Sequence, residues 1–117
     1  MAKTQITIYH NPRCSKSRNT LALLQQNGIE PTVIEYLKDS PSKSELKTIV
    51  RKLGSRPEQI VRKGEDTYKN TFAGKTLTDD QWLDALAGNP ILIERPIVVR
   101  GDRAVIGRPP ENVLELI

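Results

Sequence analysis

The sequence predicts an α/β fold: a mixed sheet flanked by helices, with a helical insertion between a β-α-β part and a β-β-α part. Three observations predict it. Strand-like alternation near the N-terminus leads into an apolar-striped helix and then a second strand. The middle of the chain carries two capping boxes, which open helices. The last third holds two short apolar runs joined across Gly101 and Asp102, followed by a proline placed to start a helix.

Each element has its own signal. In "QITIY", residues 5–9, Ile6 and Ile8 fall on one face of a strand. A helix follows over about 15–27, with Leu21 and Leu24 at i, i+3 and Leu23 beside them, stopped by the "NG" at 27–28. "TVIEY" at 32–36 is the second strand, and a β-helix-β unit of this length implies a parallel crossover. "SKSE" at 42–45 caps a helix bearing Leu46, Ile49, Val50 and Leu53, terminated by Gly54. "SRPE" at 55–58 opens a short helix through Ile60 and Val61. Polar residues 62–77 read as mostly loop, and "TDDQ" at 78–81 caps a helix with Trp82, Leu83 and Leu86 that ends at "GNP", 88–90. In "PIVVRGDRAVIGRPP", Gly at the first of two central positions suits a type II′ hairpin, so the "RGD" is a turn rather than an adhesion motif. Pro110 starts a last helix with Val113, Leu114 and Ile117. This order is that of a thioredoxin-like sandwich with a helical insertion.

The 117 residues suit one domain spanning 1–117, with 37% hydrophobic and 27% charged residues, values of a folded globular chain. No apolar run approaches the roughly 18–20 residues of a membrane span. The N-terminus enters strand alternation without a leader's apolar region, so cytoplasmic residence is expected, with no membrane partner. The net charge of +4 favours anionic partners without choosing among them. Aromatics are only 4%, and neither zinc-finger spacing nor an RNP-like motif occurs, so no direct nucleic-acid partner is expected. One cysteine and one histidine argue against a metal site and exclude an intramolecular disulfide.

The single cysteine lies in "YHNPRCSKSRNT", residues 9–20, behind the single histidine and among Arg13, Lys16 and Arg18. Between the first strand and first helix, Cys14 meets free backbone N–H groups and the positive end of the helix dipole. Such surroundings lower a thiol from about 8.5 to between ~3.5 and ~7.5. A fall of ~2 units would raise the thiolate fraction at pH 7 about 25-fold, but the accompanying loss of nucleophilicity returns some 6- to 10-fold. Ionising the thiol is therefore not the main task of the cations. A thiolate about 4 Å from one negative charge is repelled by about 4 kcal/mol at an effective dielectric near 20, so attack on an oxyanion needs several positive groups. Arginine suits that task because its planar fork binds oxyanions through two N–H groups. Ser17 stands where a C-x-x-C pattern would have its second cysteine, either donating to a thiolate or oxyanion or simply sitting in the first turn. His10 either orients the loop or is a satisfied strand-end histidine, and Asn11 and Asn19 are either loop supports or ordinary polar residues.

"IYHNPRCSKSRNTL", "NGIEP", "NPILIERPIVV" and "GRPPENVLEL", in this order, resemble the glutaredoxin-coupled arsenate reductase family of the thioredoxin superfamily over essentially the whole chain. The resemblance implies that Cys14 attacks arsenate, or a similar oxyanion, held by Arg62, Arg95 and Arg108. It gives His10, Asn11, Ser17 and Arg18 supporting roles, and makes Pro96 a cis proline opposite the cysteine. It also implies external glutathione as co-substrate and glutaredoxin as partner, with arsenite as product and no bound cofactor: no metal, nucleotide or flavin. The "NPRCSKS" loop departs from "GTS"-type reductases through Arg13 and "SKS", and resembles a subgroup of its own. Two alternatives stay open: a redox-responsive regulator binding RNA polymerase, against which Ser17 removes the C-x-x-C switch, and a monothiol reductase with another substrate.

Overall fold

A computed structural model describes residues 5–117. Met1–Thr4, which sequence alternation runs into the first strand, lie outside the described residues. The chain divides into two compact units: residues up to Asp39 together with Arg95–Ile117, and Ser40–Glu94.

The first unit is a four-stranded mixed sheet. β1 (Ile6–His10) leads to helix α1 (Ser15–Gln26) and β2 (Thr32–Glu35), and after the insertion come β3 (Ile97–Arg100) and β4 (Arg103–Ile106). The strand order is β2-β1-β3-β4. β1 runs parallel to β2 and antiparallel to β3, which is antiparallel to β4. Ile6, Ile8 and His10 alternate inward along β1. Ile6 and Ile8 meet Leu24 of α1, Val98 of β3, and Val113 and Leu116 of a C-terminal 3₁₀ helix (Pro110–Leu116). This is the thioredoxin-like arrangement that the order of elements implied.

The β3–β4 turn places Arg100 opposite Arg103 across Gly101 and Asp102. Gly101 has φ +59°, and no described residue other than glycine has positive φ. A type I′ turn needs positive φ at both central positions, so the turn is II′ as the sequence predicted.

The C-terminal element corrects one expectation. It winds as a 3₁₀ helix, and its buried residues are Val113 and Leu116, whereas Leu114 and Ile117 are exposed. Three residues per turn put positions three apart on one face, so Val113 takes Leu116 inward with it.

The second unit is the helical insertion. α2 (Lys43–Leu53) begins with the Ser42–Glu45 capping box and ends at Gly54 in the left-handed conformation. A 3₁₀ turn (Pro57–Ile60) follows, and α3 (Asp79–Gly88) starts with the Thr78–Gln81 box. Lys43 bridges Asp80 at 2.9 Å and Asp84 at 3.1 Å, tying the start of α2 to α3. Residues 62–77 are mostly turn and loop, as expected, interrupted by a short helical stretch that includes the π-helical turn Tyr68–Phe72. Tyr68 stacks on Trp82 at 6.4 Å between centroids, and Phe72 meets the same ring at 5.9 Å. Two aromatics four apart in a polar stretch carry no capping signal. The indole they embrace organises them.

Gly107, after β4, is closely packed on its Cα. A Cβ there would stand 2.6 Å from Thr20 Oγ1 and 2.9 Å from the Pro96 ring. Thr20 is fully buried, and its hydroxyl reaches the carbonyls of Lys16 (2.8 Å) and Gly107 (3.1 Å). A short β-branched side chain in a helix has little room to yield. We predict that Gly107→Ala lowers stability by about 1–3 kcal/mol, read from urea unfolding midpoints. Gly64→Ala, where a Cβ meets nothing within 4 Å, is the matched control and leaves the midpoint nearly unchanged.

Candidate active site

Cys14 is the N-cap of α1, half-buried, with extended backbone (φ −96°, ψ 123°). The first N–H groups of the helix, those of Lys16 and Ser17, face its sulfur. Burial is the largest influence on the thiol and opposes ionisation. The Arg95 guanidinium within hydrogen-bonding reach, the backbone N–H groups of Ser17 and Lys16, and the charge of Arg95 together outweigh it. The thiol is therefore held below its ordinary range.

The loop that presents the sulfur is fastened by neighbouring side chains. Asn11, buried, accepts the Arg13 N–H on Oδ1 at 3.0 Å, and its carbonyl accepts the Cys14 N–H at 3.0 Å. These bonds make a tight turn of residues 11–14. Ser17 is fully buried with its hydroxyl turned away from solvent. It accepts the Asn11 N–H at 3.0 Å and pairs with His10 Nδ1 at 2.6 Å. His10 is depressed below the ordinary histidine value, chiefly by burial, with Glu35 pulling it up and Arg18 pushing it further down. Arg18, exposed, donates from Nη1 to the Pro12 carbonyl at 2.9 Å and so braces the same loop. Arg13, Lys16 and Asn19 are exposed.

Arg95 arrives from the other side of β1. It precedes β3 across a cis peptide to Pro96, which is itself buried. Burial works against its charge, but the neighbouring Cys14 sulfur and the Tyr36 hydroxyl outweigh it and raise its pKa above the ordinary guanidinium value. Arg108 is exposed, beside the Gly107 approach and ahead of a second cis peptide, to Pro109. Asn112 anchors this segment by donating to the carbonyls of Ile106 (3.0 Å) and Arg108 (3.2 Å).

Arg62 belongs to the insertion. Its main-chain N–H donates to Leu92 at 2.7 Å, and Glu94 N–H returns to Ile60 at 2.8 Å. Its half-buried guanidinium pairs with Glu94 at 2.9 Å and Glu65 at 3.6 Å. The structure thus brings Cys14, Ser17, His10, Asn11, Arg18, Arg95 and Pro96 into one neighbourhood, while Arg62 is held by two carboxylates of its own unit.

Three residues that shape this neighbourhood escaped the sequence reading: Tyr36, Gly107 and Asn112. Tyr36 was visible only as the end of a strand, Gly107 only as a neighbour of Arg108. Among the described residues no cluster of potential metal ligands occurs, and no helix is long and apolar enough to cross a membrane.

A thioredoxin-like sheet with one ionisation-prone thiol at a helix N-terminus, faced by an arginine beside a cis proline, defines a thiol-dependent protein of that superfamily. Residues 9–116 match the ArsC family, and the chain belongs to it. It is 46% identical over 114 residues to an arsenate reductase of Haemophilus influenzae, spanning 96% of this chain and 98% of that one. It is equally 46% identical over 115 residues to "Uncharacterized protein YfgD" of Escherichia coli K12, with 97% of each chain covered. The structure of an arsenate reductase from Vibrio cholerae matches with a TM-score of 0.94 at 49% identity, covering 99% of this chain and all of the other.

The lowered thiol has a pH signature. The native state favours the thiolate, so its contribution to stability is present above the ordinary thiol pKa and lost as pH falls through the native one. The expected outcome is a difference in urea stability between wild type and Cys14→Ser that moves in favour of wild type as pH rises. Iodoacetamide alkylation of Cys14 should reach half its maximal rate below the pH found for the unfolded chain.

Proposed function

We propose that this protein is an arsenate reductase that draws its electrons from glutathione and glutaredoxin. The observation that carries the reading is the convergence of Arg95 and the first N–H groups of α1 on Cys14, within a chain of the ArsC family. That combination stabilises a nucleophilic thiolate and, beside it, the negative charge of an oxyanion.

In the proposed reaction the Cys14 thiolate attacks arsenic of an arsenate bound by Arg95, Arg108 and Arg62. A sulfur–arsenic bond forms, and one arsenate oxygen leaves as water after protonation. Glutathione thiolate then attacks the sulfur of this adduct. A sulfur–sulfur bond forms, the sulfur–arsenic bond breaks with its electron pair going to arsenic, and arsenic falls from the pentavalent to the trivalent state. Glutaredoxin removes the glutathione from Cys14 by thiol–disulfide exchange. An external second thiol is required because Cys14 is the chain's only cysteine. The carried-over role of Arg62 requires its guanidinium to share or leave Glu94, with which it is paired. His10, Asn11, Ser17 and Arg18 act in this reading by holding the loop that aims the sulfur.

The test is arsenate-dependent NADPH oxidation coupled through glutathione reductase and glutaredoxin. Cys14→Ser abolishes turnover. Arg95→Ala lowers kcat/KM by about 10²–10³-fold, the usual effect of removing one oxyanion donor. Arg51→Ala, on an exposed position of α2, leaves it unchanged. Equal losses in the two arginine variants would overturn the oxyanion site. Absence of arsenate turnover with binding to RNA polymerase would assign the regulatory alternative instead.

A further inference from the structure

We propose that the groove between α1 and the C-terminal 3₁₀ helix receives the γ-glutamyl arm of glutathione while glutathione is joined to Cys14, with Lys16 taking its carboxylate and Glu111 its ammonium. The groove has a volume of about 440 Å³ and lies within the first unit. One wall is a stripe of α1, where Lys16, Asn19, Leu23 and Gln26 recur at i, i+3, i+7 and i+10. Pro110 and Glu111, the first residues of the 3₁₀ helix, form the other. Lys16 stands two residues beyond Cys14, so the stripe begins in the helix turn that presents the sulfur.

The walls are set by packing, not by the groups that line them. The Thr20 hydroxyl reaches the carbonyls of Lys16 (2.8 Å) and Gly107 (3.1 Å), one on α1 and one on the segment entering the 3₁₀ helix. Leu24 of α1 shares a core with Val113 and Leu116 of the 3₁₀ helix. Lys16 and Glu111 carry opposite charges on one groove, yet neither makes an ion pair among the described residues. Other surface lysines do find carboxylates: Lys43 meets Asp80 at 2.9 Å and Lys63 meets Glu58 at 3.1 Å. The side-chain amides of Asn19 and Gln26 are also without hydrogen-bond partners among the described residues.

Glutathione matches this lining group by group. Its γ-glutamyl end bears an ammonium and a carboxylate on one carbon, a head that slots between an anion and a cation standing too far apart to pair with each other. Its peptide bonds offer donors and acceptors that suit the amides of Asn19 and Gln26. An extended tripeptide spans about 10 Å, less than the roughly 15 Å of helix axis between Lys16 and Gln26.

The choice of glutathione rests on the function proposed above, but the experiment needs no arsenate. The Cys14 thiolate attacks one sulfur of glutathione disulfide; a sulfur–sulfur bond to Cys14 forms, the original disulfide bond breaks, and one glutathione thiolate leaves. The equilibrium constant of this exchange is read by intact mass in buffers of fixed glutathione and glutathione disulfide. Lys16→Gln and Glu111→Gln, both at exposed positions, are each expected to lower it by about two- to fivefold, the strength of one exposed ion pair. With bis(2-hydroxyethyl) disulfide, which carries no charge, both variants match wild type. Glu115→Gln, on the same 3₁₀ helix but outside the groove, leaves the glutathione constant unchanged. Glutathione is a net anion, so attraction by overall charge alone predicts that removing the Glu111 carboxylate strengthens the adduct. A strengthened or unchanged adduct in Glu111→Gln, or equal losses with the uncharged disulfide, would overturn the proposal. A protein that shows these losses but no arsenate turnover retains the groove and loses only the proposed substrate.

Discussion

The site depends on a thiol whose ionisation is favoured, at a helix end, by one guanidinium. Burial alone would keep the Cys14 thiol protonated, and it is the largest influence acting there. Two backbone N–H groups supply a partial positive charge without a side chain, and Arg95 supplies a whole one. Neither arrangement survives by itself. The helix start must present its N–H groups to the sulfur, and a residue from beyond the insertion, more than eighty positions away, must be delivered to it.

Much of the first unit can be understood as the means of that delivery. Asn11, Ser17 and His10 bond one another into a loop that fixes where α1 begins. Gly107 meets both Thr20, one turn on, and the Pro96 ring at a separation only glycine allows. Gly107 N–H in turn donates to the Pro96 carbonyl at 2.9 Å. The helix, the cis-proline segment and the end of β4 are thereby locked together. The cations of the loop divide their labour: Arg18 braces a carbonyl and Arg95 faces the sulfur.

Arg62 shows how different the environment of a similar residue can be. A half-buried guanidinium between two carboxylates is already compensated, and losing one partner would leave charge exposed to poor solvation. In "IVRK" nothing distinguishes this arginine from one on a solvated helix face. Its carboxylate partners lie three and thirty-two residues on, and only the nearer is within reach of any local pattern.

What the sequence determined by itself is whatever a few neighbouring residues settle. Ser42 with Glu45 and Thr78 with Gln81 place helix starts because the donor and acceptor are three residues apart. Gly101 chooses the hairpin because φ is a property of one residue. Cys14 before an apolar-striped segment locates the thiol at a helix mouth for the same reason. What only the tertiary structure decided is which distant groups arrive there. The arrival of Arg95 at Cys14, the fit of Gly107 against Thr20, and the clasp of Tyr68 and Phe72 on Trp82 leave no trace at helical or strand spacing. The inward turn of Val113 and Leu116, rather than Leu114 and Ile117, followed from a tighter helix packed on the sheet. Contacts across long stretches of chain are fixed by burial and register together, and these exist only once the strands have paired.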